Sequence, residues 1–202
     1  MGSRPHDLNV RDDGYGTGVP GIMATWNWCR QIAPITRMTN DKSQVKAGLA
    51  KMKAKRSTYI PSGLAWGWRS ISSTSPLPDG LPYGNNSIKK VIVLMTDGAN
   101  TKAPKKWTGK DTVKHDGEVW GHNSNSSSTA NRYTKELCSN ILEKGIMVFT
   151  IGFEIPAESE IETIMRGCAG NGGQYFDADN ASKLDEAFEE IGKSLLTLRL
   201  SR

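Results

Sequence analysis

The sequence predicts an α/β fold in which a mostly parallel sheet carries helices on both faces. Three observations predict it. Val91 to Met95 and Ile146 to Phe153 are apolar runs without alternation, the pattern of strands buried on both faces of a sheet. Amphipathic segments of helical period lie between and after them. From Lys89 onward the order is strand, helix, strand, helix, strand, helix, which argues for parallel pairing through right-handed crossovers.

Taken in order, residues 1–28 read as an irregular arm, punctuated by Gly14, Gly16, Gly18, Pro20 and Gly21. Residues 32–38 are compatible with a short strand, which Pro34 confines to an edge or a strand's start. A first helix follows, capped by Thr39 or Asn40, with Val45, Leu49 and Met52 as its apolar stripe. A second helix opens at Pro61, a residue suited to a first turn, and carries Leu64, Trp68 and Ile71 on one face. Pro76, Pro78, Gly80 and Pro82 make the loop that leads into the strand at Val91.

A Thr-Asp-Gly turn ends that strand, and a polar insertion of about 99–128 follows it. Tyr133, Leu137 and Ile141 then mark a helix stopped at Gly145. After the strand at 146–153, Ser159 with Glu162 forms a capping-box pattern ahead of Ile161, Ile164, Met165 and Cys168. Residues 174–176 read as a third strand. Ser182 with Asp185 reads as another capping box, opening a helix whose stripe is Leu184, Phe188, Ile191 and Leu195.

Composition narrows the function. The chain has 202 residues, enough for one substantial core. Lys and Arg number 26 against 21 acids, a net charge of +5. That excess is modest and scattered, with Lys42, Lys46, Lys51, Lys53 and Lys55 on or just after one helix, so a solvated face explains it better than a nucleic-acid stripe. No apolar run approaches the length that crosses a bilayer, and no export or anchoring signal is legible. Three cysteines permit at most one internal bridge, and the absence of Cys-x-x-Cys gives zinc or dithiol chemistry little support. Cys138 and Cys168, on successive helices, read equally as a disulfide or as two buried thiols.

The residue that draws chemistry is Asp97. A carboxylate at the carboxyl end of a buried parallel strand lies where open α/β sheets place their ligands. Thr58, in the turn before the second helix, is its candidate partner, as a ligand or simply as that helix's cap. One carboxylate with hydroxyls and waters suits a hard cation such as magnesium. Gly-x-Ser-x-Gly, His-Glu-x-x-His and Walker-type motifs are all absent, and the three histidines show no ligand spacing. A metal-dependent hydrolase at Asp97 would need a second carboxylate, with Asp111 and Asp116 of the insertion as the candidates. A purely structural interaction fragment is the other alternative.

Val91-Ile-Val-Leu-Met-Thr-Asp-Gly98, preceded by Ser57-Thr-Tyr-Ile-Pro-Ser-Gly-Leu64, resembles the second half of a von Willebrand factor A domain. Thr58 and Asp97 match two positions of that family's metal-ion-dependent adhesion site. Residues 29–202 look more closely like TadG-type pilus assembly proteins of bacterial tight-adherence (Flp) systems. That likeness rests on Ala33-Pro-Ile-Thr-Arg-Met-Thr-Asn-Asp-Lys42, Gly63-Leu-Ala-Trp-Gly-Trp-Arg69 and Met95-Thr-Asp-Gly-Ala-Asn-Thr101. Glu136-Leu-Cys-Ser-Asn-Ile141, Gly167-Cys-Ala169 and Leu198-Arg-Leu-Ser-Arg202 add to it.

The resemblance implies a three-layer αβα, Rossmann-like A-type domain and a non-enzymatic adhesion or assembly module with protein partners in the pilus machinery or cell envelope. It implies a periplasmic setting, a Cys138–Cys168 bridge, and a cation (Mg2+, or else Mn2+ or Ca2+) at Thr58 and Asp97. The family's Asp-x-Ser-x-Ser motif is absent. The expectation is therefore the carboxyl-terminal part of such a domain, incomplete at its amino-terminal end.

Overall fold

A computed structural model describes residues 33–53, 58–74, 76–84, 88–101, 103–104, 122–123 and 127–200. Its elements are α1 (Lys42–Ala50), α2 (Ile60–Ser70), β1 (Val91–Thr96), β2 (Ala103–Pro104) and β3 (His122–Asn123), then α3 (Ser127–Glu143), β4 (Met147–Phe153), α4 (Glu160–Cys168), β5 (Tyr175–Ala178) and α5 (Ala181–Leu200). The chain divides into two compact units, one of residues 57–101 with 126–202 and one of residues 1–56 with 102–125. The arm at 1–28 and Cys29 lie outside the described residues, as do most of the insertion and Ile32.

The larger unit is α/β, as expected. Its three strands lie in the order β1-β4-β5, all parallel, with Val91 opposite Met147, Thr96 opposite Gly152, and Thr150 opposite Tyr175. The crossovers are α3 and α4. Successive β4 side chains alternate between faces. Val148 joins Ile60, Leu64, Ile92, Ile141, Ile164 and Met165, which draws α2, α3 and α4 onto one face. Met147, Phe149 and Ile151 join Ala178, Ala187 and Ile191, which places α5 on the other. The layers are helix, sheet, helix.

The strand buried on both faces is β4, whose residues from Met147 to Gly152 are all buried. For β1 the expectation fails on one face. Ile92 and Thr96 are buried, but Val93 and Met95 are 40% and 42% exposed. The helix on that face, α5, packs over β4 and β5. Full burial of a large aliphatic side chain contributes roughly 1.5–3 kcal/mol, and Val93 and Met95 forgo much of it.

Several local readings hold. Pro61 lies in the first turn of α2, and Leu64 is buried with Trp68 and Ile71 packed against the same cluster. Gly145 ends α3 at φ 70°, a left-handed conformation that glycine adopts without a Cβ penalty. Ser159 caps α4, accepting the Glu162 N–H at 3.3 Å. The return bond of the capping box is displaced by one residue: Glu162 accepts from the Glu158 N–H at 2.6 Å, not from Ser159.

Other readings are corrected. The cap of α5 is Asn180, whose Oδ1 accepts the Lys183 N–H at 3.0 Å, and not Ser182. The stripe of α5 rotates accordingly, with Ala187 buried and Phe188 47% exposed. The insertion is not wholly irregular, because β2 and β3 pair antiparallel within it.

In the smaller unit, 33–38 is irregular rather than a strand, and Pro34 there has no N–H to give to a ladder. The cap of α1 is Asp41, not Thr39 or Asn40: its carboxylate accepts the Ser43 N–H at 2.8 Å. Thr39 supports that turn by accepting the Asp41 N–H. Val45, Leu49 and Met52 are exposed, and α1 has no buried residue. Their spacing predicted a helix correctly but not a covering surface. No helix among the described residues is long and apolar enough to cross a membrane.

Candidate functional site

Asp97 follows β1 at its carboxyl end. The turn there is held by Thr96, whose hydroxyl donates to the Gly98 carbonyl at 2.7 Å and accepts the Gly98 N–H at 3.3 Å. The Asp97 carboxylate is therefore not used by the turn. It is exposed and forms no ion pair among the described residues.

The segment beyond is anchored by a residue to which sequence reasoning assigned no role. Asn100 is 2% exposed. Its Oδ1 accepts the Ile60 N–H at 2.8 Å, and its Nδ2 donates to Asn131 Oδ1 at 2.9 Å and Thr134 Oγ1 at 3.2 Å. Asn100 thus caps α2 from another loop and ties that loop to α3. The signal for it was indirect. The helix opens behind Tyr59, which makes no side-chain cap bond, so its first N–H groups need an acceptor from elsewhere.

Thr101 extends the anchor to Thr58. Its Oγ1 accepts the Thr58 N–H at 2.8 Å and donates to the Thr58 carbonyl at 3.3 Å, while its N–H donates to that carbonyl at 3.0 Å. Thr58 is half-buried and does not cap α2. The structure brings the loop that carries Asp97 against Thr58 through Asn100 and Thr101. It does not join Thr58 to Asp97 by a hydrogen bond.

The donor set for a cation is then one carboxylate and one hydroxyl. That suits only an ion that keeps most of its own waters. Among the described residues no group of three or more His, Cys, Asp or Glu side chains could hold a metal. Asp111 and Asp116, the second carboxylates of the hydrolase reading, lie outside the described residues, as do His6 and His115.

Next to Thr58 a groove of about 370 Å³ runs between α2 and α3. Tyr59, Pro61 and Ala65 form one wall, and Tyr133, Leu137 and Asn140 the other. Burial raises the Tyr59 phenol above its ordinary pKa, with a smaller contribution from Tyr133, so it stays a neutral donor. Cys138 of α3 and Cys168 of α4 form a disulfide with Cα atoms 5.0 Å apart.

A second charged cluster stiffens α4. Glu162 accepts from Arg166 Nε at 2.9 Å and Nη2 at 2.7 Å, and these bonds, with that from the Glu158 N–H, hold its carboxyl below the ordinary range. The Arg166 guanidinium also lies 4.3 Å from the Tyr175 ring centre. The Tyr175 hydroxyl is buried without a hydrogen-bond partner among the described residues, and burial pushes its pKa up to about 12. Glu162 and Arg166 are satisfied by one another and by the Glu158 N–H, so their pair reads as structural.

Compared with known proteins, the chain matches no protein-family model, no curated protein and no solved structure.

Proposed function

We propose that the chain is a non-enzymatic protein-binding module of the TadG type, acting in the assembly of Flp pili or in surface attachment on the periplasmic side of the envelope. The observation that carries the reading is the anchored loop after β1. Asn100 and Thr101 hold that loop against the start of α2, and Asp97 is presented in it with a carboxylate that forms no ion pair among the described residues. A carboxylate at a sheet's carboxyl edge that its own turn leaves unused is a means of gripping a partner's polar group or a shared cation. The Cys138–Cys168 bridge supports an oxidising compartment. The Thr58–Asp97 pairing belongs to the same proposal, as a remnant site for Mg2+, or for Mn2+ or Ca2+, completed by water or by the partner.

The test is capture of envelope and pilus-machinery proteins from cells that make Flp pili, by the immobilised chain, with and without Mg2+. The expected result is a defined partner that is retained by the wild type and lost or weakened in Asp97→Ala. Calorimetry with Mg2+ alone tests the cation separately: no heat, or the same heat in Asp97→Ala, removes the cation from the proposal. Hydrolytic turnover that disappears in Asp97→Ala would overturn the non-enzymatic reading.

A further inference from the structure

We infer that β1 is a self-pairing edge, through which two copies of this chain join their sheets into one. The inference does not rest on the pilus reading. It needs only β1 and the two charges that flank it.

Met147 donates its N–H to the Lys90 carbonyl at 3.0 Å, and Val91 lies opposite Met147. A parallel ladder uses alternate residues of each strand, so β1 bonds to β4 through Lys90, Ile92, Leu94 and Thr96. The N–H and C=O groups of Val91, Val93 and Met95 point the other way. Among the described residues no strand pairs with them. Val93 and Met95 are also the side chains left exposed on the sheet face. Backbone groups and apolar surface therefore lie open at the same residues, a combination that sheet edges normally avoid.

The charges select the occupant. Lys89 and Asp97 are both exposed, and neither has an ion-pair partner among the described residues. Lys90 differs, because its Nζ reaches back to the Ile71 and Leu81 carbonyls. A closed pair of identical strands related by a two-fold axis is antiparallel, and each residue on one strand then meets its mirror position on the other. With the axis at Val93, Val93 meets its own copy and Val91 meets Met95 of the second copy. The start of each strand then lies beside the end of the other, which brings Lys89 near Asp97 of the second copy and Asp97 near its Lys89.

Val91, Val93 and Met95 lie on the same side of the pleat, and their open backbone groups form the hydrogen-bonded pairs that an antiparallel ladder requires. One register thus pairs the open N–H and C=O groups, covers Val93 and Met95, and places opposite charges together at both ends. Shifting the register by two residues keeps the hydrogen bonds but separates the charges. A strand of other sequence would have to reproduce the same order of charges. A second copy carries it already.

The full chain should show a monomer–dimer equilibrium in sedimentation velocity. Val93→Pro removes an N–H that β4 does not use, so it should leave the circular dichroism intact and abolish the dimer. Lys89→Asp replaces two attractions by two like-charge contacts and should weaken the dimer about tenfold, while Lys89→Asp with Asp97→Lys should restore it.

Register is read by cross-linking in a Cys29→Ser background. Val93→Cys places two thiols across the axis and should give a covalent dimer on mild oxidation. In Met95→Cys the two Cα atoms would lie roughly 14 Å apart, beyond disulfide reach, and it should not. A wild type that stays monomeric from micromolar to millimolar concentration overturns the inference. So does a dimer that survives Val93→Pro in folded protein, or equal cross-linking through residues 93 and 95.

Discussion

Replacing Asn100 by alanine should be among the most damaging single changes in the α/β unit. The side chain is 2% exposed and makes one bond to the backbone and two to other side chains. Truncation removes the acceptor for the Ile60 N–H at the start of α2, and loss of a helix cap costs about 1 kcal/mol. It also leaves Asn131 Oδ1 facing a cavity without its donor, and an unsatisfied buried polar group costs about 1–3 kcal/mol. Thr134 is less affected, because its hydroxyl still donates to the Ala130 carbonyl at 2.9 Å.

The sum is a loss of about 3 kcal/mol, a large share of the 5–15 kcal/mol that holds a typical domain together. Urea unfolding followed by far-ultraviolet circular dichroism measures it, with a lower midpoint at an unchanged slope as the expected signature. Asn100→Asp separates the two roles. It keeps an acceptor for Ile60 but loses the donor to Asn131 and buries a charge, so it should also be destabilising. An Asn100→Ala protein within about 0.5 kcal/mol of the wild type, the range of an ordinary surface change, would refute the reasoning.

The Cys138–Cys168 bridge spans 30 residues, and closing such a loop should stabilise by about 3.5 kcal/mol. Reduction, or Cys138→Ala with Cys168→Ala, should lower the melting temperature by roughly 10 °C. Intact-mass measurement after alkylation without reductant should show these two cysteines protected. Glu162 titrates below its ordinary 4.5 in the folded chain because of Arg166 and the Glu158 N–H, so its contribution is complete above that value and fades as pH falls through its lower folded pKa. Thermal melts of the wild type and Glu162→Gln should therefore converge in acid and separate towards neutrality. Tyr175 runs the other way: its phenol is raised from 10.0 to about 12, so stability should fall as pH rises through that interval. Tyr175→Phe should remove that alkaline loss and should be neutral or stabilising by about 1 kcal/mol at pH 7, since the deleted hydroxyl has no partner.

Local information in the chain was enough for much of this. Period, capping residues and breakers located α2, α3, α4 and α5, the strands at 91–96 and 147–153, and their parallel order, because each depends on contacts within a few residues or on one face's apolar spacing. Cys138 and Cys168 were recognisable as a pair, although spacing alone left thiols and bridge equally open. At α1 and α5 the caps were misassigned by only one or two residues, Asp41 and Asn180 being the true ones, because several neighbouring polar side chains can accept the same N–H groups.

What local pattern could not reach was anything decided by which surface meets which. The apolar stripe of α1 has the spacing of a core helix, yet Val45 and Leu49 are exposed. β1 and β4 read alike in sequence, but among the described residues β4 has a strand on each side and helices on both faces, whereas β1 has one strand neighbour and one covered face. Asn100 could not be found from its neighbours, because its partners are Ile60, Asn131 and Thr134, separated from it by tens of residues. The sequence by itself determined the elements, their class and the position of Asp97 at a strand's end. The tertiary structure decided that Asp97 is left free by its own turn, that its loop is pinned through Asn100 and Thr101, and that β1 has an edge unpaired among the described residues, since burial and long-range hydrogen bonds are properties of the assembled layers and not of any one segment.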